Sequence, residues 1–421
     1  MQHNNIKMRL TVMNFLQFAT WGAWLISLGG YMAVALHADG AQIGAVYALM
    51  GIASLFMPGI IGIVADRWVN AERLLGILHL VAGGILIAVA NTTDYTSFYT
   101  LMLFLCMCYM PTLALTYTIA YSALNNAKLD IVKTFPPIRV WGTVGFILAM
   151  WIVDLTGSGR SEMQFYISAA FAIALGIYSF TLPACPPNRS TGSEKKSLLA
   201  TLGLDAFVLF KSQKMAVFFI FSILLGACLQ ITNAFGNPFL DSFKADYADS
   251  LAVRFPNILL SLSQISETLF ILAIPFFLGR FGIKNVMLIS MLAWMFRFGF
   301  FGIGNPGDGF IFLILSMIVY GMAFDFFNIS GSIFVDREVD PKIRASAQGL
   351  FIIMTNGIGA IIGSFASGRI VKHFTHDGVT DWQTVWYILA TYAFVIMVLF
   401  AILFRYKEET KGDPKLTKIN H

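Results

Sequence analysis

The sequence predicts an all-α membrane protein of twelve transmembrane helices, and three observations predict it. First, 57% of the 421 residues are hydrophobic and only 12% are charged, against about 45–50% and 25% in soluble globular domains. A soluble chain of this composition would expose large apolar patches, because its interior is too small to hide them. Second, apolar stretches of about 20 residues, the length that crosses a bilayer, recur along the whole chain. Third, Lys and Arg are distributed unevenly between alternate connections. The same composition excludes a disordered chain, a disulfide scaffold and a nucleic-acid-binding module.

Taken in order, the spans are 13–36, 41–64, 74–90, 98–123, 138–157, 164–183, 215–238, 256–278, 285–303, 309–333, 345–371 and 384–404. The first follows a polar start and is too long for a signal-peptide core, so it is read as retained. Most connections are short and carry turn residues, such as Ala38-Asp39-Gly40 and Gly304-Asn305-Pro306-Gly307. The exception is 184–214, which opens with Pro186-Pro187 and holds Arg189, Lys195, Lys196, Lys211 and Lys214. It divides the spans six and six, as two homologous halves joined by a soluble linker would. The expected organisation is an N-terminal six-helix bundle over 1–183, a linker over 184–214, a C-terminal six-helix bundle over 215–404 and a tail over 405–421.

With the amino terminus inside, 21 of the 28 Lys and Arg fall on the inner side and 5 on the outer side, Arg139 and Arg297 being within spans. That bias places both termini and the linker in the cytoplasm. The net charge of +5 therefore reports orientation rather than an acidic partner. Cys106, Cys108, Cys185 and Cys228 lie in or at the ends of apolar segments and read as small hydrophobes. Cys106 and Cys108 would project about 200° apart on a helix, a poor arrangement for a metal. No metal or cofactor is expected.

Function is read from polar groups that hydrocarbon should reject. A charge at the bilayer centre costs about 3 kcal/mol or more, and such residues usually face a cavity or a partner. Four lie well inside predicted spans: Arg139, Glu267, Arg297 and Asp325. Around them, polar residues fall at helical spacing. Arg139, Thr143 and Phe146 share one face; Gln230 with Asn233, Gln264 with Glu267, and Asp325 with Asn328 are each three apart. Tyr320, Phe324 and Asn328 make another stripe. Amides offer paired donors and acceptors, and aromatic rings offer stacking surfaces, so a neutral hydroxyl-rich ligand with an aromatic ring would suit the mixture. Two structural alternatives stay open: amides that merely join helices, and an ion pair of Arg297 with Glu267 or Asp325. A carboxylate in a low-dielectric cavity can carry a proton across, and no phosphate-cradling Gly-rich loop suggests ATP-driven work. Gly359, Gly363 and Ser367, four apart, read as a close helix approach.

The turn after the second span reads Gly62-Ile-Val-Ala-Asp66-Arg67-Trp68, with Arg73 beyond. It resembles the inner-loop signature of the major facilitator superfamily, although the second half of that signature is degraded. Asp66 and Arg67 would then serve in gating. Longer strings resemble the bacterial nucleoside:proton symporters over nearly the whole chain. They are Phe135-Pro-Pro-Ile-Arg-Val-Trp-Gly-Thr143, Leu229-Gln-Ile-Thr-Asn233, Ser263-Gln-Ile-Ser-Glu267, Tyr320-Gly-Met-Ala-Phe-Asp-Phe-Phe-Asn-Ile-Ser-Gly331, Ile343-Arg-Ala-Ser-Ala-Gln-Gly349 and Asp381-Trp-Gln-Thr-Val-Trp386. The resemblance implies a major facilitator fold and a proton-coupled nucleoside importer of a bacterial inner membrane. It implies that Arg139, Thr143, Gln230, Asn233, Gln264, Glu267, Tyr320 and Asp325 line the nucleoside site, that Phe146 and Phe324 border the base, and that Glu267 and Asp325 carry the proton. Its expected partners are nucleosides, protons and the lipid bilayer, with the chain acting as a monomer. The rival expectations are a carrier of another polar solute such as a sugar, and a membrane-embedded enzyme using Glu267 and Asp325 as an acid–base pair.

Overall fold

The computed structural model of the protein describes residues 2–187, 204–341 and 343–406. Residues 188–203 of the expected linker and 407–421 of the expected tail lie outside the described residues. The helices are α1 (Gln2–Gly22), α2 (Leu28–Ala35), α3 (Gly40–Arg67), α4 (Ala71–Ala90), α5 (Tyr95–Asn126), α6 (Ile131–Leu155) and α7 (Met163–Ser179). After residue 203 come α8 (Gln213–Gly226), α9 (Ile231–Asp241), the single turns α10 (Lys244–Tyr247) and α11 (Leu251–Arg254), α12 (Pro256–Ile303), α13 (Phe310–Glu338), α14 (Arg344–Ile352), α15 (Ala360–His373) and α16 (Trp382–Leu403). A small antiparallel hairpin, β1 (Thr375–His376) with β2 (Val379–Thr380), precedes α16.

All twelve expected crossings are present, but five of them differ from plain helices. The first is not one helix over 13–36: it breaks between α1 and α2. The seventh breaks in the same way between α8 and α9. The eighth and ninth are joined within α12 by a kink at Gly282, whose φ of 75° and ψ of 168° favour glycine. The eleventh is three pieces, because a π-helical stretch over Ile353–Gly359 lies between α14 and α15.

Local chemistry fixes several starts. Asp39 caps α3 through the Gln42 amide at 2.9 Å while the Gln42 side chain accepts from the Asp39 amide at 2.9 Å, a capping box. Asp94 caps α5 through Ser97, and Asp381 caps α16 through Thr384. Partial burial works against the Asp39 carboxylate, but hydrogen bonds from Lys372 and the α3 backbone outweigh it and hold the carboxyl below its usual range. The interior is aromatic: Trp24, Trp294, Trp386, Phe218, Phe219 and Phe239 are among its fully buried side chains.

Contacts between residues 1–187 and 204–406 gather at the end of the bundle away from the chain termini. There Ile258 donates its backbone N–H to Asp154 Oδ2 at 2.7 Å, so a carboxylate of one half caps the start of α12 in the other. Arg160 pairs with Asp241 and donates to the Val253 carbonyl. Lys372 Nζ lies 2.9 Å from Asp39 Oδ2, and Trp151 Nε1 donates to Ser261 Oγ at 2.9 Å. Backbones also touch, with α3 against α15 at Gly40, Gly44 and Gly368. Toward the terminal end Asp66, Arg67, Pro136 and Pro137 are exposed, and a Cβ at Gly62 or Gly349 would meet nothing within 4 Å. The bundle is closed at the far end and parted at the terminal end.

Candidate functional site

Two small cavities lie side by side in the middle of the second half, divided by aromatic rings of α13. The first lies between Ile26, Thr232, Asn233, Leu260, Ser263, Gln264, Arg297 and Tyr320. The second includes Leu229, Trp294, Phe324, Asn328, Thr355 and Asn356 among its lining residues. Tyr320 and Phe324, one turn apart, stack with ring centroids 6.1 Å apart and planes 5° from parallel. Trp294 meets Tyr320 edge-on at 5.9 Å.

The helix breaks place polar groups here. Gln230 sits in the gap between α8 and α9, where its Oε1 accepts from Asn233 Nδ2 at 3.0 Å. Backbone freed by a break near mid-membrane is tolerated only where it is buried in protein or lines a cavity. Ile26, in the matching break of the first crossing, reaches the first cavity from the other half. Breaks at corresponding positions in two halves are a recognised way of building a mid-membrane site.

Arg297 holds this wall together. It is 3% exposed and donates from Nη1 to Ser263 Oγ at 3.2 Å and to the Ser316 carbonyl at 3.0 Å, and from Nη2 to Thr232 Oγ1 at 3.0 Å. Its guanidinium lies 4.3 Å from the Tyr320 ring centroid. The ion pair of Arg297 with Glu267 or Asp325, left open by the sequence, is not formed among the described residues. Neutral acceptors and a ring face meet its two Nη groups instead, while Nε has no hydrogen-bond partner among the described residues.

Glu267 is half-buried on α12, within electrostatic reach of Arg139 on the opposite half and of Tyr320 and Asp325 on α13. Asp325 is 6% exposed, and its Oδ2 is buried with no hydrogen-bond partner among the described residues. Across the interface, Arg139 donates from Nε to Tyr117 OH at 3.2 Å and lies over the Phe18 ring at 4.0 Å. Thr143 is half-buried on the same helix, and buried Phe146 meets Trp21 edge-on at 6.3 Å.

Of the ten residues singled out for binding, Asn233, Gln264 and Tyr320 line the first cavity and Phe324 the second. Arg139, Thr143, Phe146, Gln230, Glu267 and Asp325 line neither of these two. Asp66 and Arg67 are exposed at the end of α3, remote from both. Sequence reasoning passed over Thr232, Ser263, Trp294 and Asn356. Thr232 lies between two flagged amides and Ser263 beside Gln264, so a scan of every polar residue in a span would have found both. Trp294 is hidden among the 39 Phe, 14 Tyr and 8 Trp of an aromatic-rich chain.

Comparison with known proteins gives the geometry its relatives. Nucleoside permease NupG of Escherichia coli (strain K12) is 53% identical over 406 residues, 96% of this chain and 97% of that one. Xanthosine permease of Escherichia coli (strain K12) is 54% identical over 423 residues, 99% of each chain. The crystal structure of nucleoside transporter NupG superposes with a TM-score of 0.90 at 53% identity, over 96% of this chain and 100% of that one. The fold is accordingly the all-α membrane-transporter fold that the inner-loop signature implied. Residues 4–409 match the family described as nucleoside H+ symporter, and the chain belongs to that family.

Proposed function

We propose that the protein is a proton-coupled nucleoside importer of a bacterial inner membrane, working as a monomer in the bilayer. Both termini and the 184–214 connection are cytoplasmic on this reading, so the parted end faces the cytoplasm and the sealed end faces outward. Residues 1–183 and 215–404 act as the two rocking halves. Arg139, Thr143, Gln230, Asn233, Gln264, Glu267, Tyr320 and Asp325 contact the nucleoside, with Phe146 and Phe324 against its base.

One observation carries the reading beyond family membership: two carboxyl groups, Glu267 and buried Asp325, lie within each other's electrostatic reach near mid-membrane, with Arg139 acting on Glu267 from the other half. Carboxyl groups within a membrane span are rare and mark proton pathways, so this pair is the place where a proton can ride with the substrate. Uridine and adenosine carry no charge of their own to couple to a membrane potential. Coupling its binding to protonation of this pair lets the inward proton gradient drive accumulation. Release to the cytoplasm follows deprotonation. Asp66 and Arg67, exposed while the inner end is parted, engage when that end closes.

The test is uptake of labelled uridine, adenosine or xanthosine into liposomes holding the purified protein. Accumulation should require an inward proton gradient, collapse with a protonophore, and be competed by nucleosides but not by hexoses. Uptake indifferent to the gradient reduces the protein to a facilitator, and competition by hexoses alone removes the nucleoside assignment.

A further inference from the structure

One hydroxyl group touches both of the broken crossings. Tyr47, on α3 one turn further from the sealed end than Gly44, is fully buried. Its hydroxyl oxygen lies 2.5 Å from the Leu25 carbonyl oxygen, within the break of the first crossing. The same oxygen lies 2.9 Å from the Asn233 carbonyl oxygen, in the first turn of α9 just past the break of the seventh. Leu25 and Tyr47 belong to one half and Asn233 to the other. In a continuous helix the Leu25 carbonyl would accept from the Gly29 N–H. Here the Tyr47 hydroxyl is its donor, and the Gly29 amide acts on that hydroxyl. A side chain inserted in this way between i and i+4 is a recognised cause of a helix interruption. Backbones close in beside it: a Cβ on Gly29 would lie 2.0 Å from the Ala234 carbonyl oxygen, so α2 and α9 abut there. Ile26 and Asn233, at these same contacts, line the first cavity.

We infer that Tyr47 is a positioning residue of the transport cycle. Its hydroxyl draws the two broken crossings together beside the first cavity while the far end is sealed, and releases Asn233 when that end opens. This rests on the reading of two rocking halves above and adds a residue outside the groups assigned there to substrate and proton. A hydroxyl has one proton to give, and this one faces two carbonyl oxygens. The Leu25 carbonyl moves with Tyr47, because both belong to the first half, whereas the Asn233 carbonyl moves with the second. Opening the far end therefore costs the Asn233 contact alone, and the proton turns wholly to Leu25. The hydroxyl stays paired in both states, so the cost of opening stays near that of one net hydrogen bond. The Asp154, Arg160 and Lys372 contacts hold the rim of that end. Tyr47 sits deeper, where a shift of α9 also moves the Asn233 side chain at the cavity wall.

The experiment measures the distance between spin labels on Thr93→Cys in one half and Ala245→Cys in the other, by pulsed double electron–electron resonance on full-length protein in lipid nanodiscs. Both positions are exposed near the sealed end. The background carries Cys108→Ala, the other three native cysteines being buried. Labels on the otherwise unaltered protein should give a short distance from sealed molecules and a minor long one from molecules open at this end. Tyr47→Phe should enlarge the long-distance share about threefold or more, the change that one net hydrogen bond produces. Replacement of Tyr47 by 4-aminophenylalanine keeps a donor in place and should hold the share within twofold of its starting value. Tyr392→Phe is the control: its hydroxyl donates to the Leu224 carbonyl at 2.7 Å within the second half, so its loss should leave the share unchanged. A merely structural bond at Tyr47 would change thermal stability and leave the distances alone. An unchanged share in Tyr47→Phe overturns the inference, as does an equal change in Tyr392→Phe. A threefold larger share with 4-aminophenylalanine overturns it whether or not Tyr47→Phe folds. A single distance at acid and neutral pH, with and without uridine, overturns the rocking of two halves instead, which keeps the two failures distinct.

Discussion

Asp325 and Arg297 are both buried and both belong to the second half, yet their hydrogen bonding differs. Arg297 donates from both Nη groups to Ser263, Thr232 and the Ser316 carbonyl, with the Tyr320 face beneath it, and these several bonds fix its place. Asp325 keeps one carboxylate oxygen unpaired among the described residues, and on the proposed reading it is a carrier of the coupled proton. Asp325→Asn should therefore preserve folding and nucleoside exchange down a gradient while abolishing accumulation against one. Counterflow and gradient-driven uptake measured side by side separate these outcomes, and undiminished accumulation removes Asp325 from coupling. Arg297→Lys should lower stability by about 1–3 kcal/mol, because a single ammonium cannot reproduce the guanidinium fork and leaves buried acceptors unmet. A thermal melt in detergent reads the change, and an unchanged melt means that the fork is dispensable. The sequence made these residues visible because intramembrane charge is rare. It could not distinguish their partners, since Ser263, Thr232 and Ser316 reach Arg297 only through the packing of four crossings.

The twelve crossings were legible at the scale of elements because hydrocarbon demands long apolar runs, and the caps at Asp39 and Asp381 mark starts that the sequence placed within a few residues. The breaks were not legible. Residues 23–27 and 227–230 contain no Gly or Pro to advertise an interruption, and the helix there yields to tertiary packing that hydropathy does not encode. The π stretch escaped for the same reason: an inserted residue changes register without changing composition. The small-residue stripe was read correctly. A Cβ on Gly363 would lie 1.9 Å from the Ala227 carbonyl oxygen, and one on Gly359 2.6 Å from that of Ile223, so α15 and α8 touch backbone to backbone. Gly363→Leu should then destabilise the second half by about 1–3 kcal/mol through overpacking. An unaltered melting temperature would mean that α8 retreats without cost.

For the molecule as a whole, one end is stitched and the other parted. Asp154 holding the first turn of α12, with the Arg160–Asp241 and Lys372–Asp39 pairs, joins residues 1–187 to 204–406, and on the proposed reading this is the outer end that must open to admit substrate. Asp154→Asn weakens that cap while keeping its volume, and should raise the share of molecules open at the far end. The measurement is labelling of a single cysteine introduced at Ser261, beside the seam, by a membrane-impermeant maleimide. Labelling no faster in the Asp154→Asn background than in the Asp154 background shows that the cap does not hold this end. None of these cross-links could be foreseen from one strand of sequence, because each joins residues about 80 to 330 positions apart and depends on which conformation the halves adopt.

The glycine contacts of α3 with α15 have a consequence for electrical insulation. Where Gly40 and Gly44 meet Gly368, main chains abut with no side chain between them, leaving little width for a file of water molecules. A protein with a gaping mouth on one face can thereby keep ions from short-circuiting the very gradient it consumes.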